Sequence, residues 1–213
     1  MTTIIKYSRN VLLIIAVQSF LFFGCNKDGT TPCQNGGYSF VVSSQYSPQQ
    51  DIYQVGDTIY FTSQFPKTLV DQINNSSVNY SNSVGIQGDI GFGYLDTITH
   101  QPIAARDSFT IFSIKGSFSE RPGNQNVGLN FNYFENAENY EFQAAFVCKK
   151  RGIYTIGVSD LLSEGLQGEN CTNAGFNLSL ANTNQHLYLH QYVLNVDTTD
   201  QELQQKVYDF RVQ

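Results

Sequence analysis

The chain of 213 residues has no tryptophan, a single methionine and a charged fraction of only 14%. So small a charged fraction excludes a coiled coil and a charged disordered chain, both of which are built from ions. Basic residues are scarce, with 12 Lys and Arg against 18 Asp and Glu, and the net charge of −6 offers no electrostatic basis for binding nucleic acid. The longest apolar run, Val11 to Phe23, has 13 residues, short of the roughly 20 that span a bilayer as a helix. Also missing are a nucleophile elbow, Ser-x-x-Lys, His-Glu-x-x-His, a phosphate-binding glycine loop and EF-hand spacing. What the chain has instead is amides and aromatics, with 19 Asn, 19 Gln, 13 Tyr and 16 Phe.

Lys6 and Arg9 precede the apolar run, and Gly24 and Cys25 follow it. A positive start, a short apolar stretch and a small residue at the end read as a signal peptide over residues 1–24. The junction Leu21-Phe22-Phe23-Gly24-Cys25 resembles the lipobox of bacterial lipoproteins, with two aromatic residues ahead of the glycine where the usual pattern has a smaller one. The resemblance implies that Cys25 is lipidated, by chains such as palmitate, and becomes the new N-terminus of an outer-membrane lipoprotein. Several acyl chains, at about 0.8 kcal/mol per buried methylene, hold a domain on a membrane better than one. Loss of Lys6 and Arg9 takes the net charge from −6 to −8, so lipid and not charge has to do the anchoring. Residues 25–34 are polar, with Gly and Pro and no periodicity, and read as a flexible tether. Lys27-Asp28 reads first as part of that solvated linker; as the alternative, it resembles the Lys-plus-acid surface-export signal of some Bacteroidota lipoproteins, which usually carries more acids.

Residues 35–213 read as one all-β domain. Val84, Ile86, Ile90, Phe92 and Tyr94 are apolar at even positions, with Gly85, Gln87, Asp89, Gly91 and Gly93 between them. That period of two belongs to a strand. It recurs from Val127 to Tyr133 and from Tyr140 to Cys148. Further strands are expected at 38–42, 52–55, 58–62, 109–114, 153–158, 176–180, 186–193 and 207–212. Only Thr199–Lys206 has helix-forming residues, with Thr199 or Asp200 as N-cap. These elements predict an antiparallel immunoglobulin-like β-sandwich with at most one short helix near the C-terminus. The length beyond a minimal domain of that kind is assigned to loop insertions at 66–83 and 96–107.

Tyr53-Gln54-Val55-Gly56-Asp57-Thr58-Ile59-Tyr60-Phe61 resembles a strand corner of immunoglobulin-like modules in secreted Bacteroidota proteins. Gly152-Ile153-Tyr154-Thr155-Ile156-Gly157-Val158 is similar to a late strand of the same modules, in which the tyrosine hydroxyl caps backbone at a sheet corner. With the lipobox, the chain resembles small Bacteroidota-type secreted lipoproteins with an immunoglobulin-like domain. That resemblance implies an address and a fold, and brings no catalytic residues.

Once Cys25 carries lipid, Cys33, Cys148 and Cys171 remain for an oxidising compartment, enough for one disulfide and one thiol. Cys148 and Cys171 lie 23 residues apart across one strand, and closing that loop contributes about 3.4 kcal/mol in the chain-entropy model. The expected pair is therefore Cys148–Cys171, leaving Cys33 free or bonded to another chain. A reactive Cys148 thiolate beside Lys149, Lys150 and Arg151 is the alternative. His186 and His190 would suit a metal on a helix, but on the expected strand they stand about 13 Å apart, so no metal site and no cofactor is assigned; His100 has no visible partner. Glu135, Glu138 and Glu141 cluster, and a glycosidase needs two carboxylates, yet three acids at a turn read more simply as a solvated face. Asp57-Thr58, Asp96-Thr97 and Asp197-Thr198 resemble Bacteroidota O-glycosylation acceptors and equally suit turns.

The sequence thus points to a non-enzymatic lipoprotein of the cell envelope, periplasmic or surface-exposed, that binds a glycan or an envelope protein. The alternative is an envelope hydrolase with an unrecognised carboxylate pair. Tyrosines and amides suit hydrogen-bonded contacts, while the lack of tryptophan weakens sugar stacking.

Overall fold

Alternation of large apolar and small polar side chains gives the chain two-faced strands, and two sets of them stack to hide the apolar faces. The computed structural model describes residues 37–120 and 126–213. Residues 1–24 with the signal peptide, Cys25, the tether and Cys33 lie outside them. The strands are β1 (Tyr38–Ser47), β2 (Ile52–Tyr53), β3 (Thr58–Pro66), β4 (Thr68–Asp71), β5 (Ser76–Asn79), β6 (Ser83–Val84), β7 (Gln87–Asp96), β8 (Gln101–Ala104) and β9 (Phe109–Lys115). There follow β10 (Ser117–Glu120), β11 (Gly128–Asn132), β12 (Phe134–Glu135), β13 (Asn139–Cys148), β14 (Gly152–Val158), β15 (Leu161–Ser163), β16 (Gly165–Leu166), β17 (Ala174–Leu180) and β18 (Val207–Val212). Two short helices, Tyr188–Leu194 and Gln201–Lys206, lie between β17 and β18.

One layer runs β13-β3-β1-β17-β15, with β9 and β12 on the outer side of β13. The other runs β10-β11-β7-β14-β18-β2, with β8 beside the end of β7. β15 joins them, because Leu161–Ser163 pairs with β17 while Leu162 also bridges to Gln87 of β7. In β1, Phe40, Val42 and Tyr46 face the core and Val41, 55% exposed, faces outward. Aromatic rings mesh between the layers: Tyr46 against Tyr208 at 4.9 Å, Phe92 against Phe146 at 5.2 Å, Phe131 against Phe142 at 4.6 Å.

The all-β sandwich expected from sequence is thus the observed fold, with corrections of detail. Pairing is antiparallel except for β1 with β17 and β2 with β18, which run parallel. Gly56-Asp57 is the expected strand corner: β2 belongs to one layer and β3 to the other, with Gly56 at φ +98° donating to the Cys148 carbonyl. Gly116 turns the chain between layers in the same way, at φ +75°, where a Cβ would stand 2.3 Å from the Asn132 carbonyl oxygen. The expected insertion at 66–83 folds into the β4–β5 hairpin and β6. Asp71 ties the hairpin to β1, its carboxylate accepting from the backbone N–H of Ser39, Ile73 and Asn74, and those donors hold it below the usual carboxylate range. Residues 186–193 are not a strand. Leu189 and Val193, four apart, are both buried while Tyr188 and Tyr192 are exposed, which is the period of a helix. The second helix starts where expected, with the Asp200 carboxylate accepting from the Glu202 N–H at 2.8 Å.

Two glycines should respond oppositely to one added methyl. At Gly128 a Cβ would meet the Ile90 carbonyl oxygen at 2.4 Å, backbone that can yield only if β11 and β7 separate, whereas at Gly157 the nearest atom is 4.0 Å away. Gly128→Ala is expected to cost about 1–3 kcal/mol in urea unfolding, and Gly157→Ala to stay within about 0.5 kcal/mol of the parent. Equal costs would refute this account of the β7–β11 ladder.

Candidate functional site

On the outer face of the second layer Gly91 of β7 and Gly157 of β14 stand directly opposite one another in the ladder. A Cβ on either would have nothing closer than 3.7 Å, so the pair leaves a dent where other residues would put side chains. The connection from β17 to β18 passes over it. Leu189 and Val193 of the first helix are fully buried, as is Leu95 of β7. Between the connection and the glycine floor lies a hollow of about 650 Å³, walled by His190, Val196, Leu203 and Lys206.

All three histidines of the chain hold this connection to the sheet. The Nδ1 of His186 is 2.9 Å from the Asp209 carbonyl oxygen, and that of His100 is 2.6 Å from the carbonyl oxygen of Val193. A carbonyl can only accept, so in both rings Nδ1 carries the proton. His190 lies 3.3–3.4 Å from the carboxylate oxygens of Asp209, which is fully buried. The helix, not the expected strand, brings both imidazoles to one residue of β18. They address different atoms of it, and among the described residues no group of three or more His, Cys, Asp or Glu is placed to hold a metal ion. Lys206 fastens the second helix by donating to Asp160 and to the Leu178 carbonyl.

The hollow continues beyond its own walls. β14 stops pairing with β7 at Val158–Ile90 and β15 resumes at Leu162–Gln87. In the interval the Ser159 N–H donates to the Asp89 carbonyl and the Asp89 N–H to the Ser159 hydroxyl, as the chain swings aside. Asp89 and Ser159 also line a second hollow of about 530 Å³. Gln87 and Leu162 of the second line a third, of about 330 Å³, which ends at Asn173 and Gly175. The three make one trench along β7 from Gly85 to Gly91, about 20 Å at strand rise. Its walls carry carboxylates, amides and the His190 imidazole, and no Phe or Tyr. Neither the facing of Gly91 with Gly157 nor the stop at Val158 could be read before the register was known; alternating glycines on one face of β7 were the available signal.

The residues singled out from sequence fall elsewhere. Cys148 is a free thiol, 1% exposed, and Cys171 is itself in a disulfide, so the Cys148–Cys171 bond does not form. Distance forbids it. The Tyr140 hydroxyl donates to the Tyr80 carbonyl and the Tyr80 hydroxyl to the Thr172 carbonyl, which places Cys171 at the Tyr140 end of β13. Cys148 is eight residues along the same strand, about 26 Å away, against the 7 Å or less between the Cα atoms of a disulfide. Nor is Cys148 a reactive thiolate, because burial and nearby Asp57 push the thiol up to about 11. The neighbouring cations are engaged at the surface, Lys150 with the Asp107 carboxylate at 2.7 Å and Lys149 with the Asp107 carbonyl. The Tyr154 hydroxyl donates to the carbonyls of Lys150 and Arg151, capping that turn.

Glu135 pairs with Lys67 at 2.7 Å, and Glu141 with Lys115 and the Asn136 amide. They do not form a catalytic pair. The carboxylates displaced from their ordinary range, Asp71, Asp96, Asp107, Glu120, Glu135 and Asp197, are all displaced downward, whereas a glycosidase acid needs the opposite. Asp57, Asp96 and Asp197 each accept a nearby backbone N–H as turn residues. A further hollow of about 680 Å³ at Arg106 and Glu120 is crossed by that pair's two 2.6 Å hydrogen bonds.

No protein-family model and no curated protein matches the chain. Among solved structures, the reeler domain of human F-spondin is similar at 11% identity and TM-score 0.33, over 70% of this chain and 99% of that one. A type II cohesin domain from the cellulosome of Acetivibrio cellulolyticus is similar at 8% identity and TM-score 0.34, over 66% and 91%. The cohesin module of a Clostridium perfringens family 33 glycoside hydrolase gives 12% and 0.29, over 65% and 98%. The strand pairings above establish the sandwich without them.

Cys148 provides a pH test. Its folded value of about 11 lies above the about 8.5 of an exposed thiol. Its contribution to stability is therefore complete below about pH 8.5 and lost as pH rises toward the folded value. Cys148→Ala should flatten the alkaline limb of the stability curve. In the folded chain iodoacetamide should spare Cys148 and modify it on unfolding, and Cys171 only after reduction as well. Rapid native labelling of Cys148 would refute the buried placement.

Proposed function

We propose that this protein is a lipid-anchored, non-enzymatic binding module of the cell envelope, held on the outer membrane through Cys25. Its trench along β7 faces an envelope glycan or protein. The observation that carries the binding part is the trench itself: a walled concavity over facing glycines, rich in hydrogen-bonding groups. The separation of Glu135 and Glu141 into their own ion pairs supports a binder over a carboxylate hydrolase. Support for the anchor comes from the sequence of residues 6–25, a charged start and an apolar run ending in Gly24-Cys25.

Detergent-phase partition of source-cell lysates tests the anchor. The parent chain should enter the Triton X-114 phase, and Cys25→Ala should move to the aqueous phase with an unchanged melting temperature. A Cys25→Ala chain that still partitions with lipid would overturn the lipoprotein reading.

A further inference from the structure

We infer that the trench along β7 takes an extended, basic segment of another polypeptide. The inference rests on the binding-module reading and names its ligand class. Shape is the first argument. The three hollows share Gln87 and Leu162 at one junction and Asp89 and Ser159 at the other, so they form a single channel and not separate pits. A channel of about 20 Å matches about six residues of extended chain.

Charge is the second argument. Asp89, Asp160, Glu164, Asp200 and Glu202 line the trench from end to end, against a single lysine, Lys206, already paired with Asp160. An excess of carboxylates in a concave, partly desolvated channel attracts cations and repels acidic chains. The third argument is hydrogen bonding. Asn130 lines the central hollow, and its Oδ1 is shielded from water with no hydrogen-bond partner. That atom lies beneath the floor, and the exposed amide of Gln87 above it offers the acceptor and donor that an extended backbone pairs with. The fourth concerns what is missing: no Phe or Tyr lines the trench, and the imidazole of His190 is turned to Asp209, so a sugar would find little stacking face there. A glycan accounts for the channel but not for its charge.

The test uses the full mature chain in detergent with three probes: a fluorescein-labelled decapeptide alternating Lys and Ser, its Glu-for-Lys counterpart, and a neutral glucan oligosaccharide. The Lys peptide is expected to bind saturably by fluorescence polarisation, more weakly as salt rises, and the Glu peptide not at all. Glu164 and Glu202 are exposed and lie at opposite ends of the trench. Glu164→Gln with Glu202→Gln should weaken the Lys peptide by about tenfold or more, while Glu138→Gln, an exposed acid outside the trench, should leave it within about twofold. Gly157→Gln, whose Cβ would meet nothing closer than the Lys206 carbonyl oxygen and Val207 Cγ2 at 4.0 Å, should plug the channel and abolish binding with the melting temperature unchanged. Binding of the Lys peptide that survives both the paired neutralisation and the plug, or equal binding of the Glu peptide, overturns the inference. So does oligosaccharide binding that Gly157→Gln removes; that result would leave the binding module standing with a glycan ligand. A Cys25→Ala chain that still partitions with lipid would strike the lipoprotein reading and leave this one untouched.

Discussion

Aromatic rings have to mesh across the gap between two layers, and the rest of the structure follows from that requirement. With no tryptophan in the chain, the largest fully buried side chains are all Phe and Tyr, among them Tyr46, Phe61, Phe131, Phe142, Tyr208 and Phe210. Their edge-to-face and tilted contacts, such as Phe92 on Phe146 at 5.2 Å, tie the layers together. A core of tyrosines also brings hydroxyls inside, and each needs an acceptor. Tyr208 donates to the Gln50 carbonyl at 3.0 Å, Tyr53 to the Pro48 carbonyl, and Tyr133 to the Ser63 hydroxyl at 2.7 Å. Loops that would otherwise float are held down by the same bonds that satisfy the core.

The demand for aromatics on the inner face leaves the outer faces to glycine, amides and short polar residues. On β7 Ile90 and Phe92 go inward and Gly91 and Gly93 stay outside, with Gly88 inside against Phe131 and Leu95 outside beneath the first helix as the exceptions. Glycine on a strand usually weakens it. Here its open face is what admits the β17–β18 connection and leaves a trench beneath it, so one residue choice serves close packing at Gly128 and vacancy at Gly157.

Much of the sandwich was legible because half-buried strands write their burial into the sequence with period two. Val207–Val212 and the Phe109 and Ile153 strands were found nearly to the residue, and Asp200 gave away the second helix. Errors came where local pattern and tertiary contact disagree. Leu187 and Leu189 alternate like a strand, but the contact that decides is Leu189 with Val193 buried together, a spacing the alternation hid. The β4–β5 hairpin is too short and polar to signal itself and depends on Asp71 reaching back to Ser39. Nearness along the chain misled for Cys148 and Cys171, because β13 carries one cysteine the length of the domain away from the other. As for the site, the glycines were visible and their alignment was not, since register is a property of two strands and no single stretch contains it.

The connection between β17 and β18 shows how a fold can make a site without spending its core. A chain leaving one layer and returning in the other must cross an outer face or a rim, and here residues 181–206 cross the outer face of the second layer. The aromatic core reaches them at His186, whose ring lies 5.4 Å from that of Tyr208. Their fastening is local and polar: His100, His186 and His190 at one end, Lys206 at the other. Leu189 and Val193 add a small apolar contact separate from the main core. The trench wall is therefore fastened by side-chain contacts, while the floor beneath it is a ladder of paired strands. A ligand lying along β7 would touch both, so the shape it meets depends on a few contacts outside the main core as much as on the strands themselves.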